Sequence, residues 1–232
     1  EEREVSIDAE AFAASVHGKQ RCGDCHRTID EHPHPEVTAK TSRAYTVALS
    51  KPCLRCHYEL HTKSLDGTHH RARAAGNEAA PVCVDCHGSH TTSPAGEPRG
   101  EISRSCAKCH PAVYAEYAES VHGSALLGRG GHDVPVCTDC HGSHAISDPD
   151  SAEAHTRSHL VCARCHGDAE RMEPYGLDPD VVVSYLDDFH GMSNALYARG
   201  LGVPGRPLAT CTDWHGTHAI RSFGSGLTEA GM

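Results

Sequence analysis

Large apolar side chains are scarce in this 232-residue chain. It holds three Phe, one Trp and three Met, with aromatic residues at 5% and apolar residues at 38%. A chain so composed buries little apolar surface of its own and cannot build a core in proportion to its length. No apolar run approaches the roughly 20 residues that a spanning helix needs, so no membrane span is expected. No window alternates apolar and polar residues long enough to predict a strand. Basic residues are also short, 21 against 31 acidic, for a net charge of −10 with His neutral. That balance argues against nucleic acid and against anionic lipid headgroups as partners.

Cysteine and histidine are abundant instead, 13 and 21. Twelve cysteines fall into six copies of C-x-x-C-H: Cys22, Cys25 and His26; Cys53, Cys56 and His57; Cys83, Cys86 and His87; Cys106, Cys109 and His110; Cys137, Cys140 and His141; Cys162, Cys165 and His166. C-x-x-C-H is the attachment signal for c-type haem. The two thiolates add to the porphyrin vinyl groups and the adjacent histidine takes one axial position on the iron. Zinc or disulfides would use the cysteines but leave most histidines without a purpose. The thirteenth cysteine, Cys211, lies in CTDWHGTH, a near copy of CTDCHGSH at 137–144 in which Trp214 replaces the second cysteine. Everything around Trp214 is kept, including Asp213, His215 and His218. A seventh haem is therefore expected, held by one thioether from Cys211 with His215 on the iron. These cofactors would supply the missing apolar mass. The expected fold class is mostly coil with short α-helices wrapped around a stacked haem core, with little or no β-sheet.

The motifs alternate in kind. Those at Cys22, Cys83, Cys137 and Cys211 carry Asp before the last cysteine position; those at Cys53, Cys106 and Cys162 carry Arg or Lys there. An upstream histidine precedes each acidic-type motif: His17, His69 or His70, His122 and His190. A downstream one follows: His32 or His34, His90, His144 and His218. The repeating unit gives modules 1–60, 61–110, 111–168 and 169–232, the last lacking a basic-type motif, together forming one continuous haem-cored domain. The stretches PAVYAEYAESVHG and DPDVVVSYLDDFHG predict short helices that stop near Gly123 and Gly191, with Pro111 and Pro179 in first turns and Asp178 as a cap. Glycine beside the ligand would let a flat macrocycle approach the backbone. Residues 93–101, 147–153 and 200–207 read as loops.

With methionine scarce (Met172, Met192 and Met232), histidine is the natural second ligand. The candidates are His17, His32, His34, His69, His70, His90, His122, His144, His190 and His218. His144 follows His141 by three residues, too short a stretch of chain to round a porphyrin. His90, His144 and His218 should therefore serve haems other than those attached beside them. His61, His132, His155 and His159 do not recur and read as surface or propionate contacts. Seven haems leave one recurrent slot over. It is His17 if upstream histidines serve the preceding module, and His190 if they serve the following motif; His17 is the favoured spare. An unused ligand at a chain end could complete a haem in the next subunit and build an open filament.

The run SVHG…VCTDCHGSH…CARCH resembles the modules of multihaem c-type cytochromes. These include pentahaem donors to nitrite reduction, decahaem conduits of metal-respiring bacteria, and cytochromes that polymerise into extracellular nanowires. The resemblance rests on haem and histidine spacing along nearly the whole chain. It implies electron transfer through closely spaced bis-histidine haems, with redox proteins or extracellular acceptors as partners. Filament subunit and soluble periplasmic shuttle are the two forms it allows. A reductase would need an open iron, and the C-x-x-C-K motif of related nitrite reductases is absent. Haem attachment is normally completed outside the cytoplasm, so a cleaved leader and an extracellular, cell-surface or periplasmic location are expected.

Overall fold

A computed structural model describes residues 7–29, 38–96, 98–129, 133–201 and 208–221. His32, His34 and His132 lie outside the described residues, as does Met232. Among the described residues there are short helices, turns and coil, and no strand. No helix among them is long and apolar enough to cross a membrane. The polypeptide divides into two compact units, Glu1–Pro98 with Ser143–Ile146, and Arg99–Gly142 with Ser147–Met232.

In the first unit the helices are Ala9–Ala14, Cys22–Cys25, Ser42–Ser50, Tyr58–Ser64, Thr68–Ala74 and Cys83–His87, with a 3-10 turn over Lys51–Arg55. Asp8 caps the first, accepting from the N–H groups of Glu10 and Ala11 at 3.0 and 2.9 Å. Thr41 caps Ser42–Ser50 through the Ala44 N–H. Ala80 is among the few apolar side chains this unit buries.

The second unit holds a small core of Tyr117, Leu126, Val134 and Val136, flanked by Ile102, Tyr114 and Ala125. The Tyr117 hydroxyl donates to the Pro135 carbonyl at 2.7 Å, and burial pushes its pKa up to about 12. Two helices differ from the sequence expectation. The stretch from Pro111 does not run to Gly123: it ends at Glu119, passes through extended Ser120, and restarts as Val121–Arg129. Likewise Val181–Asp187 ends before extended Asp188, and Phe189–Ala198 begins anew. One capping side chain makes each corner. Ser120 Oγ accepts from the Gly123 N–H at 3.1 Å, and Asp188 Oδ1 from the Gly191 N–H at 2.9 Å. Ser and Asp compete with the helix for these donors, which is why they break it. Asp178 accepts from the Asp180 N–H, so the helix starts after the expected cap. Helices also enter two expected loops, Arg99–Ala107 and Ala152–His166.

The upstream histidines thus sit in the first turn after a sharp corner, not at the end of a helix. The glycine that follows is required by the backbone itself. A Cβ on Gly18, Gly123 or Gly191 would lie 2.2, 1.9 or 2.0 Å from the carbonyl oxygen of Ala13, Tyr117 or Tyr185. At Gly123 and Gly191 the corner is closed by this approach of one helix onto the end of the other, and at Gly18 by the approach of a turn onto the end of Ala9–Ala14.

Candidate functional site

Each acidic-type motif is one helical turn, built identically. Its Asp carboxylate reaches back to the backbone N–H at the turn's start: Asp24 to Arg21 at 2.8 Å, Asp85 to Val82 at 2.6 Å, Asp139 to Val136 at 2.7 Å and Asp213 to Thr210 at 2.7 Å. The aspartates are capping residues. Two of the basic residues of the other motifs hold the same turns: Arg55 donates to the Asp24 carbonyl at 3.3 Å, and Arg164 to the Asp139 carbonyl. The acidic–basic alternation has a structural cause in these contacts.

After three of these turns a glycine takes positive φ: Gly88 at 71°, Gly142 at 75° and Gly216 at 74°. L side chains resist this conformation. It swings the chain out of the turn so that the downstream histidine faces away from its sequence neighbour. The altered copy keeps this geometry in full: Cys211–His215 is helical, Asp213 caps it and Gly216 leaves it. Trp214 changes a side chain and leaves the turn intact.

Among the described residues, these pairs of imidazole rings stand opposite one another. Ring centres are 5.9 Å apart for His26 and His90, 6.0 Å for His87 and His144, and 5.9 Å for His141 and His218. They are 6.1 Å apart for His17 and His57, and 6.2 Å for His122 and His166. The first three pairs join a downstream histidine to the acidic-type motif one module earlier. The last two join an upstream histidine to the basic-type motif of its own module. His17, the favoured spare, therefore faces His57; the upstream slot left over within these residues is His190.

The spacing is a test of whether iron fits. An iron with a collinear imidazole nitrogen about 2.0 Å away on each side places the two ring centres about 6.2 Å apart. Direct imidazole stacking or hydrogen bonding would draw the rings closer. Among the described residues no group of three or more His, Cys, Asp or Glu gathers into a metal cage. The donors come in opposed twos, as an axially ligated haem requires and a tetrahedral zinc does not. Burial, and next to it the facing imidazole, holds His87, His122 and His141 below the ordinary histidine pKa, and burial followed by the charge of His215 does the same for His166. A ligand must be neutral to bind, so the shift favours coordination.

The thiols recur in pairs too. Cys53 stands beside Cys83, Cys106 beside Cys137, and Cys162 beside Cys211, close enough for each thiol to influence the ionisation of its partner. These contacts lower the Cys83 and Cys137 thiols to about 6 and Cys211 to about 7, and raise Cys53 and Cys162. None of the thirteen cysteines is buried. The thiolate is the reactive form, and these are placed to react with a group lying along the surface.

A backbone link that the spacing does not reveal ties the two kinds of distal histidine together. The residue before an upstream histidine donates its N–H to a carbonyl two residues past a downstream one. Val16 donates to Thr92 at 3.0 Å, Thr68 to Ile146 at 2.7 Å and Val121 to Ile220 at 2.9 Å. The register identifies His69, rather than His70, as the counterpart of His17 and His122. His190 has a different neighbour: its ring meets the Trp214 indole edge-on at 5.1 Å, and its Nδ1 is buried without a hydrogen-bond partner. His159 packs on Tyr185 and its Nδ1 lies 3.0 Å from the Thr156 carbonyl.

A second device was also invisible in the spacing. Arg43 binds Asp85 at 2.8 Å and Arg99 binds Asp139 at 2.6 Å, each from the helix that leads into a basic-type motif. At the altered motif His155 takes that place, its Nε2 2.9 Å from Asp213. A guanidinium keeps its charge at any working pH, whereas imidazole carries charge only on the acid side of neutrality. Burial raises the Asp213 pKa, but the Thr210 N–H and then His155 outweigh it, and the net shift is down. A carboxylate lowered in this way adds stability above its unfolded pKa and loses it as pH falls through the folded value. His155→Arg is expected to raise the unfolding free energy by roughly 0.5 kcal/mol above neutrality, as suits a partly exposed pair. It should change little in mild acid. Thermal unfolding of the two proteins across neutrality checks this; an equal gain at every pH contradicts it.

No curated protein and no solved structure matches the chain. Residues 39–111, which include the motifs at Cys53, Cys83 and Cys106, match the family model for cytochrome c7 and related cytochrome c. That match indicates a multihaem c-type cytochrome family, whose members transfer electrons through haem c, and the opposed histidine pairs along the other motifs are consistent with it.

Proposed function

We propose that the chain conducts electrons through seven haems arranged as four modules, the last with one. The single observation carrying this reading is the set of five imidazole pairs at iron-spanning distance. In it, Cys22, Cys25, Cys53, Cys56, Cys83, Cys86, Cys106, Cys109, Cys137, Cys140, Cys162 and Cys165 each form a thioether, and Cys211 forms the thirteenth. The proximal ligands are His26, His57, His87, His110, His141, His166 and His215. His90, His144 and His218 ligate the acidic-type haem one module back, and His17 and His122 the basic-type haem of their own module. His69 takes the upstream place of the second module, a reading that its backbone link supports. Haem supplies the one-electron chemistry; the polypeptide spaces the irons, excludes water and sets potentials through its ligands.

This ligand map knits each module to the next, since the distal ligand of one acidic-type haem belongs to the following repeat. Neighbouring haems are thereby held close, as electron hopping requires. The retained turn at Cys211 and the thiol pair it forms with Cys162 support a seventh, singly attached haem. Intact mass spectrometry of the holoprotein is expected to give seven haems, with the haem on the CTDWH peptide attached at Cys211 alone. A mass of six haems rejects the seventh site.

The natural working place of such a conductor is outside the cytoplasm. Its partners are redox proteins or extracellular acceptors. Within these 232 residues the upstream slot at His190 is left over by the register, which supports continuation from copy to copy as a filament. The acidic surface equally suits a dispersed periplasmic shuttle. Sedimentation and electron microscopy of the purified holoprotein separate the two: fibres favour the filament, a monomer at high concentration the shuttle.

A further inference from the structure

The five histidine pairs fall into two geometric classes. In the three that use a downstream histidine the ring planes are nearly parallel, 25° for His26 and His90, 20° for His87 and His144, and 24° for His141 and His218. In the two that use an upstream histidine the planes are crossed, 69° for His17 and His57 and 50° for His122 and His166.

The residue before the distal histidine differs in the same way. Ser89 Oγ lies 3.3 Å from His90 Nδ1, and Ser143 Oγ lies 3.3 Å from His144 Nδ1. Thr217 holds the same place before His218, whereas Val16 and Val121 precede the upstream histidines. When Nε2 is the ligating nitrogen, Nδ1 carries the ring proton and donates to the hydroxyl. Such a bond fixes the rotation of the ring about the line between the two nitrogens and raises the basicity of the ligating nitrogen.

Ring rotation has an electronic consequence. Imidazole π orbitals mix with the iron d orbital perpendicular to the ring. Two parallel rings act on the same d orbital and split it from its partner. Two crossed rings act on different ones and leave the pair nearly degenerate. The ferric ion then has either a rhombic low-spin signal in electron paramagnetic resonance, or a highly anisotropic one with its main feature at lower field.

We propose that this chain carries two electronic classes of haem, alternating with motif type, and that Ser89 and Ser143 are positioning residues that hold their acidic-type ligands parallel. The inference rests on the bis-histidine reading above and adds to it what each ligand pair does to its iron. An electron passing along the array would then meet irons of alternating character, set by the ligand rather than by charge on the motif.

The test is paramagnetic resonance of the fully oxidised holoprotein, beside its absorption spectrum. The expected result is rhombic low-spin signals of at least three haems together with highly anisotropic signals from others. Ser143→Ala, at an exposed position, should remove one haem from the rhombic set and shift it toward the anisotropic one, and Ser143→Thr should restore it. Low-spin absorption with a single class of resonance throughout overturns the inference while leaving bis-histidine ligation intact. An unchanged resonance in Ser143→Ala overturns the role of the hydroxyl. High-spin signals from most haems would sink the ligation itself, and the inference with it.

Discussion

His144→Met is expected to raise the potential of one haem by roughly 0.2 V, well inside the ~0.8 V range that axial ligands command. The haem affected should be the one attached at Cys83 and Cys86, not the one attached three residues from the substitution. Thioether sulfur stabilises ferrous iron relative to imidazole, so the direction is upward. The reasoning is geometric. His144 follows His141, but Gly142 at φ 75° turns the chain so that the His144 ring stands 6.0 Å from His87. His141 faces His218 instead. A spectroelectrochemical titration should show one haem leaving the low-potential group. Haem-bearing peptides from the reduced and oxidised protein identify which one moved. His144→Ala is the companion variant: it should turn the same haem high-spin and open it to carbon monoxide, with the others unaffected. If the haem at Cys137 and Cys140 responds, the offset between modules is wrong and the ligand map fails with it.

Much of this site was legible in the sequence because covalent and coordinate chemistry fix residue types at fixed spacings. C-x-x-C-H leaves few readings, and the three-residue separation of His141 and His144 forbids a shared iron by chain length alone. The expectation that His144 serves another haem follows from that restriction alone. The direction of the upstream ligands did not follow. Whether His17 looks forward or back depends on the corner at Ser15 and on the Val16 link to Thr92, a contact across 76 residues that no local pattern carries. The corners are hidden for a related reason. PAVYAEYAES has the composition of a continuous helix, and only the competition of Ser120 Oγ for the Gly123 N–H breaks it. The aspartates of the motifs suggest electrostatic tuning because their charge is evident in the sequence. Their bond to the turn's first N–H appears only when the backbone is folded. The clamps from Arg43, Arg99 and His155 were hidden because they join helices tens of residues apart.

Gly123→Ala should be the most damaging small substitution in the chain. The added methyl would sit 1.9 Å from the Tyr117 carbonyl oxygen and 2.8 Å from the Ala118 Cα. Both obstacles are backbone, so no side chain can swing aside. The two helices, Pro111–Glu119 and Val121–Arg129, must part to admit it. Parting them strains the Ser120 cap and disturbs the packing of Tyr117 on Val136, in the small core that this unit possesses. A loss of about 3 kcal/mol is expected, at the upper end of the ordinary overpacking range because relief needs backbone movement. The same helix supplies its own control. A methyl group added at Gly128 would meet nothing within 4 Å, so Gly128→Ala should stabilise by about 0.5–1 kcal/mol through helix propensity alone. The damage at Gly123 should also reach the ligand. His122 is the preceding residue and faces His166 across 6.2 Å, a spacing with little tolerance for iron. Gly123→Ala should therefore lower the unfolding midpoint in denaturant and give one haem high-spin character under native conditions, with Gly128→Ala doing neither. Gly191→Ala tests the same corner where the Cβ would fall 2.0 Å from the Tyr185 carbonyl oxygen. There the upstream ring meets Trp214 rather than a second imidazole, so the variant should lose stability without any new high-spin signal from a displaced His190. A Gly123→Ala protein with wild-type midpoint and a fully low-spin spectrum would show that the corner is not what holds His122 in place.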